Sequence, residues 1–517
     1  MNLIQYTRQS VFLTGKAGTG KSTFLKYICA NTKKKHVVLA PTGIAAINAG
    51  GSTLHSFFKL PFYPLLPDDP NFSLQRGRIH EFFKYTKPHR KLLEELELVI
   101  IDEISMVRAD IIDAVDRILR VYSRNLREPF GGKQILLVGD VFQLEPVVKG
   151  DEREILNRFY PTPYFFSARV FGQIDLVSIE LQKVYRQTDS KFIHVLDHIR
   201  NNTVGSAELQ LLNTRYGTQI EQSEADMYIT LATRRDNVDY INDKKLAELP
   251  GDPVTFYGEI MGDFPESSLP TSQELVLKPG AQIIFIKNDF DRRWVNGTIG
   301  VISGFDPIEE TLYVITDDGK ECDVKRESWR NIRYKYNEEK KQIEEEELGT
   351  FTQYPVRLAW AITVHKSQGL TFSRVVIDFT GGVFAGGQAY VALSRCTSLE
   401  GIQLKKPISR ADVFVRPEIV SFSERFNNRT AIDRTLKQAQ ADVQYVAAAK
   451  AFDKGDFGTF LDEFFKAIHS RYDIEKPNVQ RLIRRKLNII NRLKEENRAL
   501  KQAALEKEKA LVKYDRE

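Results

Sequence analysis

The chain has 517 residues, of which 42% are hydrophobic, and this length suits two to four domains with sizeable cores. Its 74 lysines and arginines barely outnumber its 69 aspartates and glutamates, which excludes a uniformly cationic surface, so any contact with a nucleic acid should be a local groove. The cysteines, Cys29, Cys322 and Cys396, show no Cys-x-x-Cys pair and no histidine at metal-ligand spacing, which argues against a disulfide framework or structural zinc.

The N-terminus shows no targeting pattern. Its apolar run at residues 11–13 is too short for a signal peptide, and no stretch of the sequence is long enough to span a bilayer. We therefore expect reduced cysteines and no membrane partner. The expected location is the cytoplasm of a bacterium, or the nucleus or a mitochondrion of a eukaryote.

Short apolar runs alternate with helical patterns in the first part of the chain. Residues 11–14, 37–40, 98–101 and 135–138 are predicted to be buried strands, and residues 23–30 a helix. Continuous apolar strands separated by helices indicate a parallel sheet that is covered on both faces.

The first predicted strand runs into GKAGTGKS at residues 15–22, which matches the phosphate-loop pattern G-x-x-x-x-G-K-[ST]. Glycines let successive N–H groups turn toward a phosphate, and the dipole of the following helix adds a favourable potential. We expect Lys21 to reach the outer phosphates of ATP and Ser22 to hold Mg²⁺. The predicted nucleotide-binding residues are Gly15, Gly18, Thr19, Gly20, Lys21, Ser22, Thr23 and, much later in the chain, Gly369.

Polar residues follow two further predicted strands. Asp102 and Glu103 come directly after residues 98–101, and we expect Asp102 to bind Mg²⁺ and Glu103 to polarise the attacking water. Gln143 follows the fourth strand and is a candidate for sensing the γ-phosphate. Taken alone, these positions also fit a solvated strand end and a turn cap.

Hydrolysis of ATP requires positive charge at the transition state, and two arginines beyond the first α/β unit are candidates to supply it. They are Arg186, in YRQ, and Arg395, in LSR. If both reach the phosphates, ATP lies between two domains. A phosphate-loop kinase, the alternative enzyme class, would need neither arginine.

Two interruptions separate the α/β signals. Residues 61–70 contain four prolines and can be neither helix nor central strand. Residues 249–348 are rich in short strands and turns, which predicts a small β-barrel. This segment ends in the charged run 337–347, for which we expect a solvated helix or linker.

A second α/β pattern surrounds the predicted barrel, with strands expected at residues 229–232 and 375–378. From about residue 421 the pattern is helical. Ile483, Ile490, Leu493 and Leu500 recur at heptad-like spacing, and this favours a helix packed on its own protein over a coiled coil with a partner.

The segments together resemble superfamily 1B DNA helicases of the Pif (petite integration frequency) type. Residues 40–46 and 53–57 resemble the family's DNA-binding motifs Ia and Ib, and residues 102–106 resemble motif II. Residues 139–146, 358–369 and 388–404 resemble motifs III, V and VI. The resemblance extends over roughly residues 10–405 and includes the predicted barrel, through 277–282 and 294–297.

The resemblance implies an α/β fold with two RecA-like parallel-sheet domains and two insertions. The implied boundaries are 1–60 with 81–180 for domain 1A, 61–80 for the wedge 1B, 181–248 with 349–420 for domain 2A, 249–348 for the SH3-like 2B, and 421–517 for a helical region of unassigned role. Arg186 and Arg395 become arginine fingers. The implied DNA contacts are Pro41, Thr42, Gly43, His55, Phe57, Thr363, His365 and Ser367. Core packing is the alternative for each, and Phe57 or a nearby aromatic would stack on a base.

The implied function is an ATP- and Mg²⁺-dependent monomeric helicase that moves 5′ to 3′ on single-stranded DNA and opens duplex junctions. Family roles add G-quadruplexes, RNA–DNA hybrids, DNA repair, recombination and telomere maintenance. An ATP-gated DNA clamp and a RecD-like or Dda-like motor remain alternatives. Neither Gln5 nor Gln9 stands clearly where the family reads adenine. The C-terminal region, with its basic residues near 481–486, is open to roles in partner binding, self-association or DNA contact.

Overall fold

The structure is a computed structural model that describes residues 1–61, 63–70, 78–148, 150–218, 227–337, 339–340, 342–471, 475 and 477–514. The chain divides into two compact units, Leu3–Ile432 and Asp433–Glu517. Among the described residues we find no helix with the length and apolar character needed to cross a membrane.

In chain order, the strands are β1 (Val11–Gly15), β2 (His36–Ala40), β3 (Ser52–Thr53), β4 (Leu98–Ile101), β5 (Gln134–Val138), β6 (Val177–Leu181), β7 (Ile229–Ala232), β8 (Val254–Tyr257), β9 (Glu259–Gly262), β10 (Glu274–Leu277), β11 (Gln282–Phe285), β12 (Ile299–Asp306), β13 (Thr311–Thr316), β14 (Glu321–Val324), β15 (Glu327–Asn337), β16 (Gln342–Gln353), β17 (Val356–Leu358), β18 (Ala361–Thr363), β19 (Val375–Asp378) and β20 (Ile402–Leu404).

The helices, in the same order, are α1 (Asn2–Tyr6), α2 (Lys21–Asn31), α3 (Gly43–Ala49), α4 (Leu54–Phe58), α5 (Arg78–Phe82), α6 (Lys87–Glu95), α7 (Ala109–Tyr122), α8 (Gly150–Leu156), α9 (Ser190–Arg200), α10 (Ser206–Asn213), α11 (Arg235–Glu248), α12 (Gln388–Leu393), α13 (Pro417–Ser423), α14 (Arg429–Asp453), α15 (Phe457–Ser470) and α16 (Pro477–Tyr514).

The first sheet is parallel throughout and has the order β3-β2-β4-β5-β1-β6. Strands β1, β4 and β5 are buried along their whole length, as their apolar runs predict. Helix α7 packs against this core with the buried face Ile111, Ile112, Val115, Ile118 and Leu119. The four apolar runs predicted as strands are therefore confirmed, and their carboxyl ends lie at one edge of the sheet.

A second parallel sheet has the order β18-β7-β19-β20. It is assembled from both sides of the insertion, because β7 precedes residues 249–348 and the other three strands follow them. Its core is a separate buried cluster that includes Phe192, Leu231 and Ile377. The α/β class with two parallel sheets is confirmed.

Antiparallel sheets form the insertion between β7 and β18. One has the order β14-β13-β12-β11-β17, another β15-β16-β9, and β10 pairs with β8. The stacked rings of Phe285 and Trp294, with centroids 4.4 Å apart, lie in its core. The β-rich character predicted for 249–348 is present, whereas closure into an SH3-like barrel stays a prediction.

The expectation of a helix or linker at residues 337–347 is wrong. β15 and β16 form a long antiparallel hairpin there, although residues 338 and 341 lie outside the described part of the chain. Arg333 pairs across the strands with Glu346 at 2.6 Å, and opposite charges on facing strands stabilise such a hairpin. On the other face, Tyr334 is buried in the core of the first sheet, where its hydroxyl lies 3.3 Å from the Val38 backbone nitrogen.

The described residues 61 and 63–69 of the proline-rich excursion contain neither helix nor strand, as expected, while residues 62 and 71–77 of the predicted wedge lie outside the described part of the chain. Asp110 of α7 accepts a hydrogen bond from the Leu65 N–H at 3.0 Å, and Arg117 donates one to the Pro67 carbonyl at 2.6 Å. The excursion is thereby anchored on α7.

The C-terminal unit is helical, as predicted. Within it Ala441 of α14 and Ala467 of α15 are fully buried, and Arg471 pairs with Asp442 at 2.6 Å. Along α16, Ile483 packs against this small core, whereas Leu493 and Leu500 are exposed. The first residue of the heptad-like seam is therefore covered by its own unit, and a partner for the later ones stays open.

Candidate active site

The phosphate loop joins β1 to α2 and comes close to an arginine from beyond the first sheet. Gly18 and Gly20 have φ of +77° and +83°, a left-handed conformation that favours glycine, and Gly20 caps the N-terminus of α2. A Cβ built on Gly18 would lie 2.4 Å from the Cβ of Arg186. The loop therefore has room for Arg186 only because residue 18 lacks a side chain.

Lys21 begins α2 and turns back over the loop. Its ammonium donates hydrogen bonds to the Gly15 carbonyl at 2.7 Å and the Lys16 carbonyl at 3.1 Å. Burial lowers the pKa of Lys21, and the nearby carboxyls of Asp140 and Glu103 act in the opposite direction. The ammonium is thus held over the phosphate loop, where its positive charge would favour a bound phosphate. Ser22 and Thr23 follow it on the exposed first turn of the helix.

Asp102 and Glu103 follow β4 side by side. Glu103 has φ of +50°, a left-handed conformation that is uncommon for a residue with a side chain, and its N–H donates to the Asp102 carboxylate at 2.9 Å. Burial and the neighbouring Asp102 raise the pKa of Glu103 to about 7, and burial also raises the pKa of Asp102. A divalent cation would stabilise the ionised form of both adjacent carboxyls, and carboxylate oxygens are ligands that Mg²⁺ prefers, so the residues fit Mg²⁺.

Gln143 lies buried between the two sheets. Its side-chain nitrogen is 3.4 Å from a carboxylate oxygen of Asp140, and its side-chain oxygen is 3.5 Å from the side-chain nitrogen of Gln368, in the loop after β18. A Cβ on Gly387, at the start of α12, would lie 2.2 Å from the Gln143 carbonyl oxygen. Gln143 therefore contacts the second half of the chain, as a residue that senses the nucleotide would need to.

Arg186 and Arg395 meet at Ser394. Arg186 donates to the Ser394 carbonyl at 3.1 Å, and Arg395 donates to the Ser394 hydroxyl at 3.0 Å and to the Val391 carbonyl at 2.9 Å. Burial and the like charge of Arg186 lower the pKa of Arg395 to about 9, while Glu103 acts to raise it. Arg186 thus lies at the phosphate loop beside Gly18, and Arg395 lies close enough to Glu103 for their charges to interact, while their role as arginine fingers stays a prediction.

Three further residues contact the site from distant segments, and their contacts were not predicted from the sequence. The Tyr390 hydroxyl of α12 accepts a hydrogen bond from the Ala17 N–H of the phosphate loop at 2.9 Å. Asp197 of α9 pairs with Lys16 at 2.6 Å. Arg200, also on α9, pairs with Asp140 at 3.1 Å and is almost fully buried. Only the position of Tyr390 within the motif VI resemblance could have drawn attention to it.

Comparison with known proteins identifies the family. A family model described as PIF1-like helicase matches residues 2–210. The Campylobacter jejuni protein named ATP-dependent DNA helicase Pif1 is 32% identical over 406 residues, which cover 75% of this chain and 87% of that protein. The chain belongs to the PIF1-like helicase family. This membership confirms the Pif-type resemblance and favours it over the RecD-like and Dda-like alternatives.

Other members of the family support the same assignment. Human ATP-dependent DNA helicase PIF1 is 34% identical over 417 residues, which cover 77% of this chain, and the chain spans only 58% of that protein's length. A crystal structure of Pif1 helicase from Bacteroides in complex with ADP-AlF3 and single-stranded DNA is 43% identical, with a TM-score of 0.58 over 82% of this chain and 95% of that one.

The residues expected to contact DNA in this PIF1-like helicase lie between β2 and the start of α3, in α4, and from the end of β18 into the loop that follows it. Thr42 caps α3 by accepting the Ala45 N–H at 3.2 Å, and Gly43 lies so close to Ser268 of the insertion that a Cβ would be 2.6 Å from its hydroxyl. Pro41 and His55 are half-buried. Burial lowers the pKa of His55, so its imidazole is neutral at pH 7.

Two of the expected DNA contacts face inward. Phe57 is 4% exposed and packs edge-to-face against Phe58 at 4.8 Å and Tyr334 at 6.0 Å, so the base-stacking role predicted for it is wrong. Ser367 is fully buried, and its hydroxyl donates to the Val364 carbonyl at 2.7 Å. The side chains of Phe57 and Ser367 are therefore packed inside the protein and are not accessible to a ligand.

The end of β18 and the loop after it carry the remaining predicted residues. Thr363 is almost buried and its hydroxyl accepts the Lys366 N–H at 3.2 Å, and Gly369 turns the loop with φ of +80°. His365 is half-buried, with a pKa lowered by burial, and it lies parallel to Phe384 with ring centroids 6.4 Å apart. Phe384 is 60% exposed and is the better candidate for a stacking surface.

Proposed function

We propose that this chain is an ATP-dependent DNA helicase that moves 5′ to 3′ along single-stranded DNA and opens duplexes. The observation that carries the proposal is the convergence of Arg186 and Arg395 on Gly18 and Glu103. A hydrolytic site whose walls come from two parallel-sheet domains can convert the loss of a phosphate into movement of one domain against the other. The relatives named ATP-dependent DNA helicases support the same activity.

In this proposal ATP is the substrate, and Mg²⁺ would partly neutralise the negative charge of its phosphates. Lys21 holds the outer phosphates, and Ser22 with Asp102 holds Mg²⁺. Ionised Glu103 accepts a hydrogen bond from the attacking water. Arg186 and Arg395 stabilise the negative charge that develops in the transition state, with the remaining nucleotide-binding residues, Gly369 among them, lining the site.

Contacts across the cleft link the nucleotide to movement. Tyr390 bonds to the phosphate loop at Ala17, and Gln368 lies 3.5 Å from Gln143. Each pair joins a phosphate-loop domain residue to one from the second domain, so a change at the γ-phosphate is transmitted to both sides. Alternating grip of the two domains on DNA would then give directional travel.

We infer a DNA path over the segments that bear Thr42, His55 and His365. Burial lowers the pKa of both histidines, and Phe384 offers an exposed ring beside His365. Such a surface suits base stacking, which tolerates any sequence. Contacts of cationic side chains with the DNA backbone would make binding weaken as salt rises. Pro41, Gly43 and Thr363 complete the path.

The finer features rest on the resemblance. We propose domains 1A (1–60 and 81–180) and 2A (181–248 and 349–420), a duplex-splitting wedge at 61–80 and an SH3-like 2B at 249–348. We also propose action as a monomer, because one chain supplies both walls of the cleft. From the same resemblance we propose unwinding of G-quadruplexes and RNA–DNA hybrids, and roles in repair, recombination and telomere maintenance. We also propose a cytoplasmic location if the source is bacterial, and a nuclear or mitochondrial one if it is eukaryotic.

The test compares duplexes that carry only a 5′ or only a 3′ single-stranded tail. We expect ATP-dependent unwinding of the first and not of the second, together with ATPase activity stimulated by single-stranded DNA. Lys21→Ala should abolish hydrolysis and leave DNA binding largely intact. Lys26→Ala, an exposed lysine on the same helix, is the matched control and should behave as the unmodified chain.

The rival functions predict different results in the same assays. An ATP-gated clamp would hydrolyse ATP and retain DNA without separating strands. A phosphate-loop kinase would transfer phosphate to a small acceptor, and DNA would not stimulate it. Unwinding that requires a 3′ tail would overturn the proposed direction while leaving the helicase activity in place.

A further inference from the structure

A group of metal-ligand side chains lies between α9 and α10, outside the residues proposed to contact nucleotide. His194 and His198 stand one helical turn apart on α9, with their Nε2 atoms 3.2 Å from each other. Glu208 approaches from α10, and the ligand atoms of the three residues lie within 4.8 Å of one another. These two histidines were not singled out from the sequence.

Backbone groups lie within hydrogen-bond distance of two of these side chains, His198 and Glu208. The Nδ1 atom of His198 lies 3.1 Å from the Thr203 carbonyl oxygen. The Thr203 hydroxyl lies 3.1 Å from the same nitrogen. In the tautomer that donates from Nδ1 to the carbonyl, Nε2 presents a lone pair toward His194. The Gly205 N–H donates to a Glu208 carboxylate oxygen at 2.8 Å. Outer-shell bonds of this kind orient the ligands of metal sites.

The spacing fits a tetrahedral ion. Zinc–nitrogen bonds of about 2.0–2.1 Å give a tetrahedron whose edge is about 3.3 Å, close to the separation of the two Nε2 atoms. Two imidazoles and one carboxylate suit zinc and its neighbours in the transition series, whereas Mg²⁺ prefers oxygen ligands. His194 is exposed, so a water molecule can complete the coordination shell.

We propose that His194, His198 and Glu208 bind one divalent transition-metal ion of the zinc class, which clamps α10 to α9. The location gives the site a consequence. Between the two histidines α9 carries Asp197, which pairs with Lys16 of the phosphate loop, and two residues beyond His198 it carries Arg200, which pairs with Asp140. The ion would stabilise the helix that holds both contacts.

The test uses the full chain after removal of metal with a chelator. Titration with ZnCl₂ in a calorimeter should give one site per chain, and CoCl₂ should produce the visible absorption of a four-coordinate ion. His194→Ala and Glu208→Gln should each weaken binding by at least tenfold, and Glu208→Gln retains an oxygen to accept the Gly205 hydrogen bond. His469→Ala, which removes another exposed histidine, is the control and should bind as the unmodified chain.

Thermal unfolding supplies a second readout that needs no ATPase. Saturating ZnCl₂ should raise the melting temperature of the unmodified chain and of His469→Ala, with little effect on His194→Ala. Equal melting temperatures without metal establish that the variants are folded. Absence of stoichiometric binding, or equal binding by His194→Ala, would overturn the proposal and leave the two histidines as a hydrogen-bonded pair. Both of these outcomes would leave the proposed helicase activity unaffected, because it does not depend on this metal site.

Discussion

At the scale of single residues, the environment of Glu103 has the largest consequence for chemistry. Its carboxyl is buried next to Asp102, which raises its pKa to about 7, and its backbone is held at φ of +50°. The Glu103 carboxyl is therefore mostly neutral below about pH 7 and mostly ionised above it. An ionised Glu103 is the form that can accept a hydrogen bond from the attacking water.

This environment predicts a pH dependence. The kcat/KM for ATP should rise with pH and level off above about pH 7, since kcat/KM reports the pKa values of the unliganded enzyme. Glu103→Gln should remove this limb and lower kcat by about 10²–10⁴-fold. Steady-state ATPase measured across pH values checks both effects. The control Glu154→Gln, on the exposed side of α8, should keep the rise of kcat/KM with pH. If that rise persists in Glu103→Gln, the titrating group is a residue other than Glu103.

At the scale of elements, the β15–β16 hairpin stabilises the domain of the first sheet rather than only its own sheet. Tyr334 is 6% exposed and belongs to the same buried cluster as Phe57. Its hydroxyl lies within hydrogen-bond distance of both the N–H and the carbonyl of Val38. The hairpin therefore links the insertion to strand β2.

Substitutions at this position should separate packing from hydrogen bonding. Tyr334→Phe should lower the free energy of unfolding by about 0.5–1.5 kcal/mol through the lost hydrogen bond. Tyr334→Ala should lower it by about 3–5 kcal/mol, because a large cavity is added. Urea unfolding measures both. Lys335→Ala, exposed on the opposite face of β15, should change little, and a similar loss there would argue against the contact with Val38.

At the scale of the whole molecule, the proposed active site exists only where the two parallel-sheet domains meet. Gly18 approaches Arg186, and Ala17 bonds to Tyr390 across the same cleft. In the proposed mechanism the phosphate loop binds the nucleotide, and the positive charge needed in the transition state would come from Arg186 and Arg395 on the other side of the cleft. Binding and hydrolysis should therefore be separable.

Arg186→Ala is expected to show this separation. Loss of an arginine finger should reduce kcat for ATP hydrolysis by about 10³–10⁵-fold, while binding of a fluorescent ATP analogue changes far less. Arg235→Ala, an arginine whose side chain is 81% exposed in the second half, serves as the control. A proportionate loss of nucleotide affinity would instead place Arg186 among the ground-state binding residues.

Several features followed from the sequence alone because their signals are local. A buried parallel strand needs an unbroken apolar run, and a phosphate loop needs glycines at fixed spacing, so β1, β4, β5 and the residues 15–22 could be recognised directly. The acidic pair Asp102 and Glu103 was recognisable for the same reason, since it directly follows such a run.

Other features were decided only by the tertiary structure, because they depend on which distant segments meet. Phe57 belongs to the segment 53–57 that resembles a DNA-binding motif, yet Tyr334 of the hairpin packs against it. The charges at 337–347 suggested a solvated segment, but the paired strands place Glu346 opposite Arg333, an arrangement that depends on the partner strand. Tyr390 and Arg200 acquire their roles from contacts with residues 373 and 60 positions away along the chain, a separation that no local pattern records.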